Sequence, residues 1–329
     1  MTFLVTGATG LVGNNVVRRL LERGQAVRVL VRRESDFRPL QGLEVERVWG
    51  DVRDADSVRQ ACRGVSAVVH AAAVVRFGWT GLEQDRAVNV RGTEHVAAAA
   101  LEASARLVHV SSVDALGVGH RDAPADEDSL REGKVPCTYI VTKREAEAAV
   151  RRSVDRGLDA VIVNPGFMLG PWDWKPSSGR MLLEVARRFT PLAPTGGVTS
   201  CDVRDVVDGL LAACEKAPAG RQYILGGENL TYQQLWCLFA EVSGGSKPWF
   251  RAGPLMRVLG GYGGDLWGRI TGREPDLNSA AVRATSQFHY YRSARAEAEL
   301  GYRPRPFRQS VADAWAWFVE HGYVDDKKK

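Results

Sequence analysis

Short apolar runs alternate with longer amphipathic stretches throughout the first half of the chain. We interpret each run as all-apolar rather than alternating, which is typical of strands buried on both faces of a parallel sheet. The pattern predicts strands at residues 3–6, 27–33, 45–51, 67–73, 106–112 and 158–166, and helices at 11–24, 55–64, 85–103 and 142–157. This repetition predicts an α/β fold with a doubly wound parallel sheet, a Rossmann fold, connected by right-handed crossovers.

The pattern changes after residue 165. The stretch GPWDWKPSSG is dense in glycine, proline and tryptophan and predicts a long loop. A helix at residues 200–217 and a strand at 221–227 are expected to return to the sheet, and the chain from Thr231 onward has a helical and aromatic pattern. We therefore expect two domains and a tail. The sheet domain comprises residues 1–165 with 196–227 returning to it, a smaller, mainly helical domain comprises 166–195 and 228–326, and the tail is 327–329.

Composition is that of an ordinary globular protein. The chain has 329 residues, of which 45% are apolar and 25% charged, enough to bury a sizeable core. Its net charge of +5 comes from scattered arginines, without a cluster of arginines and aromatics, so we expect no nucleic-acid partner.

Cysteine and hydropathy patterns suggest a location. The five cysteines are widely spaced and form no C-x-x-C, which argues for a reducing compartment, and the six histidines have no metal-ligand spacing, so no metal is expected. No signal sequence is recognisable, and the longest apolar stretch, SAVVHAAAVV, is about half the length of a membrane span. We expect a cytoplasmic protein with no membrane span.

The stretch TGATGLVG lies between the first predicted strand and the first predicted helix. It places Gly7, Gly10 and Gly13 at regular spacing. Without a side chain, Gly7 and Gly10 allow a tight turn and a close approach to a pyrophosphate, and Gly13 allows close packing of helix on strand. The free N–H groups of the helix would face the phosphates. The alternative is an ordinary strand–helix turn.

The end of the second strand indicates which dinucleotide is bound. An acidic residue there usually meets a free ribose 2′-hydroxyl, whereas arginine meets a 2′-phosphate. The chain has Arg32 and Arg33, with no carboxylate before Glu34. We therefore expect NADP(H) rather than NAD(H), unless both arginines simply lie in solvent. Asp51 is expected either at the adenine edge or as a helix cap.

Tyr139 and Lys143 are four residues apart, so on a helix they share a face. A nearby ammonium and an oxidised nicotinamide would lower the pKa of the phenol, which could then exchange a proton with a substrate oxygen. The lysine could also hold the nicotinamide ribose. Ser111 or Ser112, at the end of a predicted strand, could hydrogen-bond the reacting oxygen.

Taken together, these motifs resemble the extended short-chain dehydrogenase/reductase family. The resemblance covers nearly the whole chain and includes TGATGLVG, HAAA, NVRGT, VSSVDALG, YIVTK and NPGFMLGP. It implies catalytic roles for Ser112, Tyr139 and Lys143, and a water relay supported by Asn89. It also implies a set of further coenzyme contacts, namely Thr9, Leu11, Val12, Val52, Ala71, Ala72, Ala73 and Pro165.

Within the family, the chain is most similar to the dihydroflavonol-4-reductase-like and hopanoid-associated members. The resemblance implies NADPH-dependent reduction of a ketone or aldehyde, with the sheet domain binding the dinucleotide and the helical domain the substrate. Two alternatives are a nucleotide-sugar epimerase or dehydratase holding NAD, and a dinucleotide sensor without turnover. A homodimer through helices near residues 83–103 and 142–154 is also possible.

The substrate is expected to be small and apolar, such as an aromatic or a polyprenoid- or steroid-like carbonyl or hydroxyl compound. Candidate pocket residues are Phe77, Trp79, Trp172, Trp174 and the region 256–267, with plain core aromatics as the alternative interpretation. Asp202 and Asp205 are expected to cap a helix rather than to touch substrate.

Overall fold

A parallel sheet organises the chain in this computed structural model, which describes residues 1–324. The strands are β1 Thr2–Thr6, β2 Ala26–Val31, β3 Glu46–Trp49, β4 Ala67–His70, β5 Arg106–Val110, β6 Ala160–Pro165, β7 Phe167–Leu169, β8 Leu192–Ala193, β9 Gly197–Asp202, β10 Gln222–Leu225, β11 Glu228–Thr231, β12 Phe250–Arg251 and β13 Phe288–His289. The predicted tail at 327–329 lies outside the described residues.

Helices connect and cover these strands. They are α1 Leu11–Glu22, α2 Ala55–Cys62, α3 Leu82–Arg86, α4 Gly92–Glu102, α5 Thr138–Val154, α6 Ser178–Arg187, α7 Val203–Lys216, α8 Tyr232–Ser243, α9 Pro254–Thr271, α10 Ser279–Ala284, α11 Ala294–Leu300 and α12 Phe307–Glu320. A π-helical segment, Ala87–Arg91, joins α3 to α4. Within residues 1–324, none of these helices combines the length and the apolarity needed to cross a bilayer.

The main sheet has the order β10-β6-β5-β4-β1-β2-β3, and all its strands are parallel. Apolar side chains of α1, α7 and α11 pack on one face, and those of α2, α4 and α5 on the other. This confirms the doubly wound fold. The chain order reverses between β1 and β4, so the carboxyl ends of these strands border the crevice where this fold binds ligands.

Three local predictions differ from the structure. β3 is an edge strand and mostly exposed, so it is not buried on both faces. α5 begins at Thr138 rather than at residue 142, because its first turn is buried against a distant part of the chain. Residues 200–202 belong to a strand, β9, because they pair with β7 and β11, which local periodicity does not reveal.

A second, smaller sheet lies in the carboxyl-terminal half. Its order is β11-β9-β13, and β7 also pairs with β9. Of the segment expected to return to the main sheet, α7 packs on that sheet and β10 pairs with β6, whereas β9 lies in the second sheet. The remaining elements of this half are mostly helical, and the domain boundaries stay a prediction.

Candidate active site

The turn between β1 and α1 has glycine where a side chain would collide with backbone. Gly7 has a φ of 71°, and a Cβ there would lie 2.6 Å from the carbonyl carbon of Ala71. A Cβ on Gly13 would lie 2.2 Å from the oxygen of Gly7. Gly10 differs, since its Cβ would make only an ordinary 3.5 Å contact. Gly7 and Gly13 are therefore required by the fold, whereas Gly10 leaves an exposed stretch of backbone.

The amino-terminal end of α1 is suited to an anion. Its N-cap is Gly10, no side chain caps the first turn, and that turn contains no acidic residue. Free N–H groups and the helix dipole together favour a phosphate at such a position. The predicted contacts Thr9, Leu11, Val12, Ala71, Ala72 and Ala73 are partly exposed, whereas Val52 and Pro165 are buried at strand ends. The turn therefore fits the diphosphate of a dinucleotide.

Positive charge collects at the ends of β2 and β3. Arg32 is half exposed, with its Nε 3.5 Å from Oε1 of Glu34. Arg53 donates to Asp51 at 2.7 Å, and this hydrogen bond, with a smaller contribution from Arg32, lowers the pKa of Asp51. Asp54, not Asp51, caps α2. Two guanidinium groups thus lie at this edge, Arg32 paired with Glu34 and Arg53 with Asp51.

Three side chains with complementary chemistry meet at the carboxyl end of β5. Tyr139 and Lys143 lie on the buried face of α5, with 7% and 5% exposure. The Nζ of Lys143 donates to the oxygen of Val110 at 2.9 Å. Ser112 is near Tyr139, where its hydroxyl favours the phenolate and so opposes the rise in the pKa of Tyr139. Of the two predicted serines, Ser112 is therefore the one beside the phenol.

The protein alone does not lower the pKa of Tyr139. Burial raises this pKa well above its ordinary value, the carboxylate of Asp114 adds to the rise, and Ser112 opposes it. The sequence predicted the opposite direction, through Lys143. That lowering was predicted for Lys143 acting together with an oxidised nicotinamide, and it stays a prediction. Among the protein groups, desolvation of the phenolate dominates the pKa of Tyr139. Tyr139 is thus held as a neutral phenol, the form that can donate a proton.

Lys143 lies near buried histidines and the buried carboxylate of Glu147. Burial lowers the pKa of Lys143 to about 8, with Glu147 opposing the shift. His70 bridges the hydroxyls of Thr6 and Thr93 at 2.7 and 3.0 Å. Burial, with a smaller contribution from Lys143, lowers the pKa of His70 to about 3. Next to the neutral His70, the ammonium of Lys143 therefore supplies the positive charge of the site.

A buried ion pair adjoins Ser112. The Nζ of Lys134 donates to Oδ1 of Asp114 at 3.0 Å, and Asp114 Oδ2 lies 3.4 Å from the Ser112 hydroxyl. His289 completes the cluster, with Nδ1 3.3 Å from the same Asp114 oxygen. Its Nε2 donates to the oxygen of Ala284 at 2.9 Å. Nδ1 of His289 also lies within hydrogen-bond distance of the Nζ of Lys134.

Sequence reasoning missed this cluster. It treated His289 as structural and did not single out Lys134, which stands in an irregular segment. The one available signal was an aspartate two residues after the candidate serine, in VSSVDALG. Burial by itself would raise the pKa of Asp114, but Lys134 and His289 more than offset it, so that pKa lies well below its usual range. The carboxylate beside Ser112 is therefore ionised.

A second polar network holds the backbone of Ser112. Asn164 Nδ2 donates to the oxygen of Ser112 and to Oε1 of Glu147, both at 2.7 Å. Gln222 donates to Asn164 Oδ1 at 2.7 Å, and Arg131 pairs with Glu147 at 2.7 Å. These buried bonds connect β6, β10 and α5 beneath the site and fix the position of the serine.

Asn89 lies in the π-helical segment between α3 and α4, a kind of segment that is frequent at functional sites. Its Nδ2 donates to the oxygen of Val74 and to the hydroxyl of Thr142, and its Oδ1 accepts from the N–H of Val74. Asn89 therefore fastens the loop after β4 to α5. Its role in a water relay stays a prediction.

The predicted substrate residues separate into two places. Phe77 packs on Tyr139, with ring centroids 5.3 Å apart, and Trp79 Nε1 donates to Ser279 at 2.9 Å. Trp172 and Trp174 instead pack with Trp317 and His321 of the carboxyl-terminal part of the chain, and Arg18 lies 3.3 Å above the ring of Trp172. Phe77 and Trp79 thus lie on the phenol side, whereas the contacts of the tryptophan pair are those of a structural cluster.

Two other sets of expectations concern carboxylates and the region 256–267. Asp202 caps α7 by accepting from the N–H of Arg204 at 2.8 Å, as expected. Asp205 accepts from Arg305 at 2.8 Å instead of capping the helix. The large side chains of 256–267 lie on the outer surface of α9 and do not enclose a pocket.

Comparison with known proteins gives consistent matches. The family model described as the NAD dependent epimerase/dehydratase family matches residues 3–226. Sterol demethylase protein B of Methylococcus capsulatus is 37% identical over 98% of this chain and 100% of its own length. A putative dihydroflavonol 4-reductase of Synechocystis is 35% identical, over 98% of this chain and 96% of its own length. The crystal structure of gox2253 is 35% identical, with a TM-score of 0.85 over 98% of this chain and 99% of that chain.

Proposed function

The chain belongs to the NAD dependent epimerase/dehydratase family, and we propose that within it this protein is an NADP(H)-dependent reductase that converts a ketone or aldehyde to an alcohol. The observation that carries the proposal is the meeting of Ser112, Tyr139 and Lys143 at the carboxyl end of β5, beside the crevice that the glycine turn borders. Neighbouring carboxyl ends of a parallel sheet bring a dinucleotide and a reacting group within reach of each other.

The coenzyme preference is supported by charge. Arg32 is exposed at the end of β2, and Arg53 neutralises Asp51, the nearby carboxylate that would repel a phosphate. A guanidinium can make two charge-assisted hydrogen bonds to one phosphate group. We therefore propose NADP(H) rather than NAD(H), with the diphosphate at the amino-terminal end of α1.

Each of the three side chains has a distinct role in the proposed reaction. Ser112 donates a hydrogen bond to the carbonyl oxygen of the substrate. Tyr139, held as a neutral phenol, transfers its phenolic proton to that oxygen. Lys143 holds the nicotinamide ribose and places its positive charge near the phenolate that remains. The bound coenzyme supplies the hydride, while the protein supplies position and electrostatics.

The substrate is proposed to be apolar. Phe77 lies against Tyr139, so an apolar group bordering the reacting carbonyl would be well accommodated. The relatives at 37% and 35% identity bear names that refer to a sterol, which is largely hydrocarbon, and to a dihydroflavonol, which is aromatic. Trp79 adds an aromatic surface on the same side of the site.

The test combines binding with turnover. The protein is titrated with NADPH and NADH by fluorescence, and then screened with ketones and aldehydes, including sterol ketones, by loss of absorbance at 340 nm. The Tyr139→Phe variant is expected to lose at least about a thousandfold in kcat while it keeps its affinity for NADPH, because only the proton donor is removed. Unchanged turnover in this variant would contradict the proposal.

The same screen decides between the alternatives. A nucleotide-sugar epimerase or dehydratase would release bound NAD on denaturation and convert a UDP- or GDP-sugar without added NADPH. A dinucleotide sensor would bind NADPH but show no turnover with any carbonyl compound in the panel. The ionised carboxylate and ordered phenol around Ser112 favour a catalyst over a sensor.

A further inference from the structure

The long helix α9 packs on the protein through glycines, while its large apolar side chains point outward. Gly264 and Gly261 face the protein: a Cβ on Gly264 would lie 1.8 Å from the oxygen of Leu277, and one on Gly261 would lie 3.1 Å from the Cα of Ser279. The absence of side chains on this face allows the helix backbone to lie directly on the segment before α10. The close packing of α9 is therefore achieved by its glycines, not by its large apolar side chains.

Those large side chains lie on the opposite face. Leu255, Leu259, Tyr262, Leu266 and Ile270 recur at helical spacing and are between 55% and 71% exposed. Met256, Val258 and Trp267 flank this stripe and are about equally exposed. A stripe with this spacing normally faces a core, and a contiguous exposed apolar surface marks a site of interaction. We refer to these eight side chains as the outer face of α9.

Charge around the outer face is one-sided. The acidic residues of this stretch are engaged by the protein: Asp265 accepts from the N–H of Ser279, Glu274 from the N–H of Trp79, and Asp276 pairs with Arg180. Arg269, within α9, and Arg273, just after it, are exposed. The surface presented outward is therefore apolar, with Arg269 and Arg273 at its border, and the exposed Asp276 is held in a pair with Arg180.

The helix is also joined to the candidate active site. Asn278, in the segment on which α9 packs, donates to the oxygen of Phe77 at 2.9 Å. Ala280 and Ala284 of α10 pack in one cluster with Tyr139. The helix α9, through the segment on which it packs, thus belongs to the layer that covers the phenol of Tyr139.

We propose that α9 docks this protein onto the surface of an anionic phospholipid bilayer. An interfacial helix places leucine and aromatic side chains at the acyl boundary and arginines at the headgroups, and this is the arrangement of the outer face. Tyrosine and tryptophan such as Tyr262 and Trp267 favour the interfacial region. The helix would lie along the bilayer surface rather than span it.

A second copy of the chain is a poorer occupant. A helix pairing through Leu255, Leu259, Tyr262 and Leu266 would continue at position 269, where a heptad requires an apolar residue and the chain has Arg269. Two such faces would also bring their arginines together, whereas anionic headgroups would neutralise them. Docking on a bilayer would also bring the protein close to apolar substrates dissolved there. That consequence, unlike the docking itself, rests on the proposed function.

Flotation with vesicles tests the proposal without any assay of turnover. The full chain is incubated with phosphatidylglycerol/phosphatidylcholine vesicles and with pure phosphatidylcholine vesicles, at low and high salt. Binding is expected to the anionic vesicles and to weaken with salt. Leu266→Glu is expected to lower that binding by at least about tenfold, because it places a charge where an apolar side chain would be buried. Leu259→Glu serves as a second variant of the same face.

The matched control is Leu130→Glu, which replaces the same residue type at 78% exposure outside the outer face. It is expected to bind vesicles like the parent chain. Failure of the parent to bind anionic vesicles, or equal binding by the Leu266→Glu variant, would overturn the proposal. So would a dimer of the parent in light scattering that this variant dissociates. NADPH affinity, measured in parallel, reports separately on the coenzyme site.

Discussion

Lys134 and Asp114 form an ion pair with little access to water, since their side chains are 0% and 18% exposed. Asp114 Oδ2 lies 3.4 Å from the Ser112 hydroxyl. Ser112 Oγ also accepts a hydrogen bond from the N–H of Asp114 at 3.1 Å. The serine that would polarise a substrate is thus oriented by the same residue that neutralises the buried lysine.

Replacing Asp114 by asparagine is expected to lower the free energy of unfolding by about 3 kcal/mol. The substitution leaves the Lys134 ammonium buried without its counter-charge, which costs more than the loss of a single contact. Urea unfolding measures the change. The control is Asp276→Asn, which removes an exposed pair with Arg180 and should change stability by less than about 1 kcal/mol. Equal decreases in the free energy of unfolding for the two variants would show that the buried Lys134–Asp114 pair stabilises the protein no more than the exposed pair does.

Gly13 and Gly10 of the first turn should respond differently to replacement by alanine. Gly13→Ala is expected to destabilise the protein by about 2 kcal/mol or more, because its Cβ would lie 2.2 Å from the oxygen of Gly7. Gly10→Ala should cost only about 1 kcal/mol, because glycine is preferred to alanine at a helix N-cap. It should nevertheless weaken NADPH binding, since the methyl group would occupy the surface left open for the diphosphate. Thermal unfolding and a fluorescence titration separate the two effects, and a Gly10→Ala variant with unchanged affinity would argue against this diphosphate position.

Arg32→Ala should weaken binding of NADPH by roughly tenfold to a hundredfold and leave NADH nearly unchanged. The loss corresponds to hydrogen bonds to one charged group, which only NADPH carries at this position. Calorimetric titration with both coenzymes measures the ratio. Arg63→Ala, at another exposed arginine, is the control and should leave the ratio unaltered. Equal losses for NADPH and NADH would contradict a 2′-phosphate contact.

The buried histidines make stability depend on pH below neutrality. Burial holds the pKa of His70 at about 3 in the folded protein, whereas an unfolded chain has an ordinary histidine value of about 6.5. Between these values the unfolded state binds more protons, so the free energy of unfolding falls as the pH decreases. The pKa of His109 is lowered in the same direction by burial. The two together predict a slope approaching about 2.7 kcal/mol per pH unit between pH 6 and 5.

Urea unfolding at several pH values measures this slope, and two variants assign it. His109→Phe should reduce the slope by about half, because one of the two neutral histidines is removed. The exposed His120 provides the control, and His120→Phe should leave the slope as in the parent. If His109→Phe left the slope unaltered, the pH dependence would have another origin.

Sequence reasoning was accurate where local chemistry determines structure. The strands were predictable because continuous apolar runs mark β1, β4, β5 and β6. The turn after β1 was predictable because its geometry requires glycine. The pairing of Tyr139 with Lys143 follows from helical spacing alone. The burial of β3 was mispredicted because its edge position in the sheet decides it. The start of α5 was mispredicted because a tertiary contact decides it.

By itself, the sequence specified the alternation of strands and helices and the glycine turn between β1 and α1, since each depends on residues close together in the chain. It also predicted Tyr139, Lys143 and either Ser111 or Ser112 as a candidate set. Tertiary structure alone decided that Lys134 and His289 meet Asp114, that Trp172 and Trp174 pack with Trp317, and that the large side chains of α9 face outward. Such contacts join segments tens to more than a hundred residues apart. Local periodicity records which side chains share a face of an element, but not what that face meets.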